Sequence, residues 1–290
     1  MSVAISTPKA ATRGPTMIAI VRLLQSRSFL IGAVVVITIA LIAVFADVLS
    51  PYDPLRNSFR TRLRPPDETF WFGTDHFGRD ILSRVIHGAR ISLIIGLMTA
   101  LLTGIAGTII GAAAGFFPAL DNPIMRLMDA LMAFPAIVLA IAVAAVLGAS
   151  VVNVIIALSI ATMPHTARIV RASVLVVRER EFIEAARALG ASEIRVLCRH
   201  VLPNAFGPLI VRLTYVFATA ILAEAALSFI GVGPPPPAPS FGSIIAQGRD
   251  FITEAPWITI FPGLAIIVSV LGLNLLGDGL RDVLDPRMRT

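Results

Sequence analysis

Long apolar stretches without charged side chains recur along this chain. Residues 28–46, 91–120, 130–164 and 255–277 contain no Asp, Glu, Lys or Arg. A helix needs about 20 mostly apolar residues to cross the hydrocarbon core of a bilayer. The pattern therefore predicts several membrane-spanning helices.

The longest of these stretches must hold more than one helix. Residues 130–164 are too long for a single span, and Gly148 begins a run of turn-forming residues inside them. We therefore expect two helices there, over 127–147 and 151–170. Another span is predicted over 205–231, which brings the expected architecture to an all-α membrane protein with six transmembrane helices.

The composition indicates that lipid covers much of the surface. The chain is 56% apolar and 14% charged, with a mean hydropathy of +0.85. Soluble domains are about 25% charged, so this chain has too few charges to coat a water-soluble globule of its size. The net charge of +6 is better explained by membrane orientation than by nucleic acid, which we do not expect as a partner.

The distribution of basic residues predicts the orientation. An even number of spans places both termini on one side. Lys and Arg are more frequent in segments such as 1–27, 168–203 and 278–290 than in the segments predicted to be external, which favours cytoplasmic N and C termini. Residues 47–90, with seven arginines, are an exception. The first apolar run is longer than a typical signal-peptide core, so we expect it to be retained.

These spans divide the chain into parts with different expected roles. We expect a flexible cytoplasmic leader over 1–27, followed by the first transmembrane helix, an external loop and an interfacial helix over 28–90. A five-helix core is predicted over 91–280, and it includes a polar cytoplasmic loop over 174–204. Residues 281–290 are expected to form a cytoplasmic tail.

The residues of this chain argue against chemistry within it. A phosphate-binding P-loop needs a lysine, and the only lysine is Lys9, in the leader. Cys198 is the single cysteine, and no histidine pair has zinc-protease spacing. The carboxylates Asp129 and Glu224 fall near predicted span ends, which argues against a proton relay. We expect no catalytic residue, metal site or cofactor in this chain.

The polar loop over 174–204 predicts two short helices with a break between them. Residues 184–189 have high helix propensity, and Gly190 is expected to end the first helix in a left-handed conformation. Ser192 can cap the second helix, and Pro203 is expected to stop it.

An apolar ridge is predicted on the second of these helices. Ile194, Leu197 and Val201 follow at a spacing that places them on one helix face. Such a helix suits docking into a groove of a partner protein. Packing against the membrane domain of the same chain explains the ridge equally well, so physics alone leaves both interpretations open.

One motif in this loop resembles a known family. The run Glu184-Ala185-Ala186, then Gly190, then Leu202-Pro203 resembles the EAA loop of ABC-importer permeases, with Val201 where an isoleucine is usual. The resemblance implies a coupling helix that sits in a cleft of a separate ATPase subunit. The residues expected to couple are Glu184, Ala185, Ala186, Gly190, Ile194, Leu197, Leu202 and Pro203.

Further segments resemble the second permease of the dipeptide, oligopeptide and nickel branch of these importers. They are Gly73 to Arg84, Met128-Asp129 with Phe134-Pro135, Ala223 to Gly231, and Gly277 to Asp282 with Asp285-Pro286. The resemblance covers roughly residues 28–287 and implies the type I ABC-importer permease fold.

The segment from Gly73 to Arg84 predicts a short interfacial helix. Asp75 with Arg79, and Asp80 with Arg84, have the i, i+4 spacing of helical ion pairs. We favour a helix that braces the external mouth of the pathway over one that contacts substrate. For Glu224, inside a predicted span, we favour a structural ion pair with an arginine over a pathway contact.

The resemblance also implies partners. We expect a second homologous permease, two cytoplasmic ABC ATPases that hold ATP and Mg²⁺, an external solute-binding protein and the bacterial inner membrane. Di- or oligopeptides are the leading cargo, with nickel chelates, glutathione and sugar derivatives as alternatives. A self-sufficient carrier or channel would instead need no ATPase, and an intramembrane enzyme would need a catalytic set that this sequence lacks.

Overall fold

The structure is a computed structural model and describes residues 23–284. Residues 1–22 of the predicted leader and 285–290 of the predicted tail lie outside it. The helices are α1 (Arg27–Val44), α2 (Ala46–Leu49), α3 (Ile81–Phe116), α4 (Pro118–Met132), α5 (Ala136–Leu147), α6 (Val151–Arg178), α7 (Glu181–Ala188), α8 (Glu193–Val196), α9 (Leu202–Ile230), α10 (Phe241–Gly248) and α11 (Trp257–Leu284). Within the described residues, β pairing is limited to one bridge between Thr74 and Asp80, so the prediction of an all-α protein is confirmed.

Helices long and apolar enough to cross a bilayer match the predicted number of spans. Five of them are unbroken, and α4 with α5 makes a sixth that is bent by 89°. We call the membrane face that carries α7 the α7 face. The opposite face, which carries the loop before α3 and helix α10, is the α10 face.

The first span forms where its apolar run predicts it. Ser26 accepts a hydrogen bond from the backbone N–H of Phe29 at 3.4 Å and so caps α1. Helix α1 lies against α11, and the two backbones approach closely at glycines. A side chain on Gly32 would collide with the backbone of Leu276, and one on Gly279 would lie 2.5 Å from Phe29 Cβ.

The predicted interfacial helix over 73–84 is wrong. Residues 73–80 form a turn closed by the bridge between Thr74 and Asp80. The helix starts only at Ile81, with Asp80 as its cap. A turn forms here instead of a helix because the Asp75 carboxylate accepts hydrogen bonds from the backbone N–H groups of Phe77, at 2.8 Å, and Arg79, at 3.0 Å. Such local bonds compete with the helical ladder.

The second span is longer than its apolar window. Helix α3 has 36 residues, which gives a length of about 54 Å against a hydrocarbon core of about 30 Å. Its first turns therefore extend beyond the core on the α10 face. The helix ends at Phe116, before the charge-free window ends at residue 120, because Phe117 precedes Pro118 and leaves the helical region.

The third predicted span, over 127–147, is two helices. Helix α4 starts at Pro118, and α5 starts after Pro135, which lies at its N-cap. Pro135 separates two helices rather than kinking one, because it lacks an N–H and disfavours helix at the residue before it. Helix α5 has 12 residues and reaches only about 18 Å.

Helix α6 continues past its predicted end at residue 170, because its arginines find partners. Arg171 Nε lies 2.5 Å from Asp121 Oδ1, and Arg168 pairs with Asp129, both on α4. Arg178 donates to the carbonyl oxygen of Gly115 at 2.8 Å. The charged side chains therefore lie in polar surroundings at the α7 face, and the helix need not stop before them.

A stripe of glycines joins α3 to α6. Gly107, Gly111 and Gly115 recur every four residues on the face of α3 that contacts α6. A side chain on Gly111 would collide with the carbonyl oxygen of Ala167. Small residues permit this close backbone approach. The resulting van der Waals contacts hold the two helices together in lipid, where the hydrophobic effect does not drive helix association.

The last span runs from the α10 face to the α7 face. Helix α11 begins at Trp257 and extends to Leu284, beyond the predicted span over 255–277. The first residues of the predicted tail over 281–290 are therefore helical. The helix can continue past Gly277 because no proline lies between that residue and Pro286.

Candidate functional site

Helix α7 is anchored to the membrane domain by one buried side chain. Alanines and the first-turn acids Glu181 and Glu184 favour a helix here. Ile183 is fully buried and packs in a cluster with Phe116, Val174 and Val201. This cluster draws on α3, α6 and α9, so a displacement of α7 is felt by all three spans.

Gly190 ends α7 as predicted. Its φ of 80° is in the left-handed region. The Gly190 N–H donates to Arg187 at 2.9 Å and the Ala191 N–H donates to Ala186 at 3.1 Å. These two bonds form a Schellman motif. A side chain at Gly190 would meet no atom within 4 Å, so only the backbone conformation requires glycine.

An ion pair closes the elbow between α7 and α8. Arg187 Nε and Nη2 donate to the two carboxylate oxygens of Glu193, each at 3.1 Å. The guanidinium carbon of Arg187 also lies 5.8 Å from the ring centre of Phe116. The predicted cap Ser192 lies at the N-cap of α8 but forms no capping bond with its side chain.

Pro203 does not stop the second helix, contrary to our prediction. Residues Glu193–Ile230 form one apolar helical run, and Pro203 lies in the first turn of α9. A π-helical turn over Leu197–Val201 comes directly before it, and the Leu202 N–H donates to Leu197. Because the proline ring crowds the preceding turn, this wider turn lets the helix continue.

The predicted apolar ridge is only partly correct. Val201 is fully buried and Leu197 is partly buried, but Ile194 is 70% exposed. Val196 is buried in its place, because the π-helical turn changes which face of the helix meets the core. Leu202, like Ala186, packs against the same core cluster.

Apolar side chains on this elbow face solvent. Phe182 is 42% exposed, Leu189 is 89% exposed, and Ile194 is exposed beside them. Glu184 and Ala185 are exposed on the same helix. We call Phe182, Glu184, Leu189 and Ile194 the coupling surface. Large exposed apolar side chains beyond the predicted bilayer mark a contact site for another protein.

On the α10 face, the predicted residues Asp75, Arg79 and Arg84 meet in a buried cluster. Asp75 accepts hydrogen bonds from Arg79 Nε at 2.7 Å and from Arg84. Gln247 of α10 accepts from both arginines, at 2.8 Å and 3.0 Å. Asp75 and Arg84 have no exposed side-chain surface. The cluster ties the loop before α3 to α10, which suits a brace.

Asp80 does not pair with Arg84, contrary to the predicted spacing. Its carboxylate accepts from the Ser83 N–H at 2.8 Å and from the Ser83 hydroxyl at 2.6 Å, so it caps α3. Burial raises the pKa of Asp80 despite these bonds. Burial also opposes ionisation of Asp75, but the charges of Arg84 and Arg79 hold the pKa of Asp75 below its usual value.

Glu224 has hydroxyl partners and, among residues 23–284, no arginine partner, so the structure does not support the predicted ion pair. It is fully buried. It accepts hydrogen bonds from Ser228 and Ser240, each at 2.7 Å, and from Ser92 at 3.3 Å. These three serines come from α9, the cap of α10 and α3, so Glu224 joins three elements inside the protein.

Sequence analysis did not single out Arg212, although a charge inside an apolar stretch is itself a functional signal. Arg212 lies on the wall of two cavities, of about 920 Å³ and about 340 Å³, and Tyr215 lines both with it.

The sequence led us to expect no metal site anywhere in the chain. The structure bears on residues 23–284 only, and these contain no cluster of His, Cys, Asp or Glu suited to a metal ion.

Comparison with known families agrees with this architecture. The binding-protein-dependent transport system inner membrane component matches residues 104–290. The N-terminal transmembrane domain of oligopeptide transport permease C matches residues 14–66. The chain belongs to the binding-protein-dependent transport system inner membrane components. It is a permease subunit of an ABC importer and a multi-pass membrane protein.

Relatives of this permease are themselves permeases and not enzymes. A Brucella suis protein named for a peptide transport system permease is 53% identical over 96% of this chain and 94% of its own length. The Pseudomonas aeruginosa di/tripeptide transport system permease protein DppC is 44% identical over 89% of this chain and 88% of its own. The Escherichia coli glutathione transport system permease protein GsiD is 43% identical over 89% and 86%.

A solved structure shares the fold. One chain of the MetNI methionine ABC transporter, in an inward-facing conformation, superimposes with a TM-score of 0.58. The match covers 70% of this permease and 97% of that chain, at 19% sequence identity. The superposition shows a common fold, and the expected ABC-importer permease architecture is confirmed.

Proposed function

We propose that this permease couples to a cytoplasmic ATPase through the coupling surface on α7 and α8. The observation that carries the proposal is an exposed apolar surface on a helix whose inner side is locked into the core. Leu189 and Ile194 face outward, while Ile183 is buried among side chains of α6 and α9. A motor subunit that grips the outer side can therefore move the spans.

The mechanism follows from this connection. ATP and Mg²⁺ would be held in two partner ATPases, and closure of that pair would displace α7. The elbow would transmit the displacement as a unit, because the Gly190 turn and the pair of Arg187 with Glu193 fix its shape. The spans would then rock as rigid groups and alternate access to the pathway.

The remaining partners and the orientation follow from the family. A second permease would complete the pathway, and a solute-binding protein would deliver cargo, as the family description implies. The α7 face would be cytoplasmic, with both termini on that side of a bacterial inner membrane. The excess of basic residues on the α7 face supports this orientation.

Small peptides are the cargo that we propose. The relatives named above are assigned to peptide, di/tripeptide and glutathione transport systems. Di- and tripeptides and glutathione share amide bonds and at least one carboxylate. The proposed cargo class is therefore a short peptide that carries a negative group.

Reconstitution tests the coupling proposal. Proteoliposomes with this permease, its partner permease, both ATPases and the binding protein should take up radiolabelled di- and tripeptides only with ATP. Glu184→Lys should abolish uptake and reduce co-purification of the ATPases. Glu254→Lys reverses an exposed charge on the α10 face and should leave the ATPases attached. Uptake by the permeases without ATPases would contradict the proposal and favour a self-sufficient carrier.

A further inference from the structure

Arg212 lies deep inside a membrane-spanning helix. It follows Leu202, the first residue of α9, by about 15 Å along the helix axis, which is about half of a hydrocarbon core of roughly 30 Å. A charged side chain near the centre of a bilayer is unfavourable by at least about 2.5 kcal/mol. A side chain kept there at this cost needs a partner or a function.

Within residues 23–284, Arg212 has no acidic partner. Ten ion pairs within 4.0 Å occur among the described residues, and Arg212 takes part in none of them. Its Nε is buried without a hydrogen-bond acceptor. Its guanidinium carbon lies 5.1 Å from the ring centre of Tyr215. The cation thus rests on an aromatic ring while its hydrogen-bond donors remain available.

The surroundings of Arg212 are open and electropositive. It lies where two cavities meet, and the smaller one contains His165 and Thr162 but no carboxylate on its wall. The larger one also contains Arg180 and Arg281 against a single acid, Asp278. Volumes of about 340 and 920 Å³ fall in the range of small-molecule sites, about 300–1,000 Å³.

We propose that Arg212 binds the carboxylate of the cargo during its passage through the membrane. A guanidinium presents N–H donors in a planar fork that matches a carboxylate. Tyr215 would hold the guanidinium plane in place by its ring face. The inference rests on the proposed function as a peptide permease and adds a site within its pathway.

Two measurements on the full transport complex test this site. The first is ATP-driven uptake of trialanine by wild type, Arg212→Lys and Arg212→Gln. Uptake by Arg212→Gln should fall between about 10- and 100-fold, the range for a lost hydrogen bond to a charged group, and Arg212→Lys should recover part of it. Arg168→Gln is the control and should leave uptake near normal, because Arg168 lies at the α7 face and already pairs with Asp129.

The second measurement is direct binding to the solubilised complex without the binding protein. Radiolabelled trialanine should bind wild type about tenfold or more tightly than trialanine amide does. Arg212→Gln should abolish this preference. Such a change is not expected from a purely structural arginine, which does not distinguish acid from amide.

Each outcome decides between the proposals. Equal affinity of wild type for acid and amide, or normal uptake by Arg212→Gln, would overturn the carboxylate site. Loss of the partner permease from the Arg212→Gln complex would also overturn it, since Arg212 would then pair with a carboxylate of that subunit. If wild type takes up no peptide at all, the proposed cargo fails instead.

Discussion

Arg187 and Glu193 face each other across the turn at Gly190, with Arg187 Nε 3.1 Å from Glu193 Oε1. The two residues belong to α7 and α8, so their contact sets the angle between α7 and the helical run that continues into α9. Both side chains are about half exposed, at 41% and 54%. Their contact therefore fixes the shape of the elbow but contributes little to the free energy of unfolding.

The pair itself gives the first prediction. Arg187→Glu should change the free energy of unfolding by no more than about 1 kcal/mol, as for other exposed ion pairs. It should nevertheless reduce ATP-driven uptake, because the elbow would transmit displacement less directly. The double variant Arg187→Glu with Glu193→Arg should regain uptake in the reconstituted complex. A double variant as impaired as the single one would show that the ion pair does not set the elbow.

The turn gives the second prediction. Gly190→Ala places a side chain at a φ of 80°, which is unfavourable by about 1–2 kcal/mol for L-residues. Uptake and thermal stability should both fall, and Gly190→Asn should be milder. Gly263→Ala is the matched control, because Gly263 also has no atom within 4 Å of an added side chain but lies in α11 with ordinary helical φ. Equal effects of the two alanine variants would contradict this account of Gly190.

The glycine stripe gives the third prediction. Gly111→Val should separate α3 from α6, because an added side chain collides with the Ala167 backbone. Overpacking of this kind is unfavourable by about 1–3 kcal/mol, so the thermal midpoint of the purified permease should fall. Gly263→Val, at an open site on α11, should have a smaller effect. A midpoint unchanged by Gly111→Val would contradict the close approach of these helices.

Acid sensitivity of the loop before α3 gives the fourth prediction. Asp75 has a lowered pKa in the folded chain, so its ionised form stabilises the loop. That stabilisation is present above the unfolded value of about 3.9 and is lost as the pH falls through the lower folded value. Hydrogen exchange of residues 58–80 should therefore accelerate in this window.

Two variants separate Asp75 from its neighbour. Asp80 has a raised pKa, and its contribution has the opposite sign, being present below about 3.9 and lost as the pH rises through the raised value. The acid response should disappear in Asp75→Asn and persist in Asp80→Asn. An Asp75→Asn loop that still opens on acidification would show that another group controls it.

The sequence predicted the spans better than their ends. Charge-free windows marked the bilayer segments, since few alternatives exist for such windows in lipid. The ends depended on tertiary partners that no local pattern contains, such as the carbonyl of Gly115 that binds Arg178. Glu224 shows the same limit, because its serine partners lie on distant parts of the chain.

The site was predictable where a local rule decides the geometry. Gly190 ended its helix as expected, because a left-handed residue after a helix favours glycine. Pro203 did not, because the π-helical turn before it is an uncommon arrangement that no spacing rule anticipates. The interfacial helix over 73–84 failed for a similar reason, since helical spacing of charges also fits a turn closed around Asp75.

Cross-linking from the coupling surface tests the central claim most directly. Cys198 is exposed and would be replaced by serine, and a single cysteine would then be placed at Leu189 or Ile194. A photoreactive crosslinker attached to this cysteine by its thiol-specific end should join it to an ATPase subunit in the active complex on illumination, and ATP binding should change the yield. The same reagent on a cysteine at Glu254, on the α10 face, should yield no such product. A complex that performs ATP-driven uptake but forms no ATPase product from Leu189 or Ile194 would contradict the account.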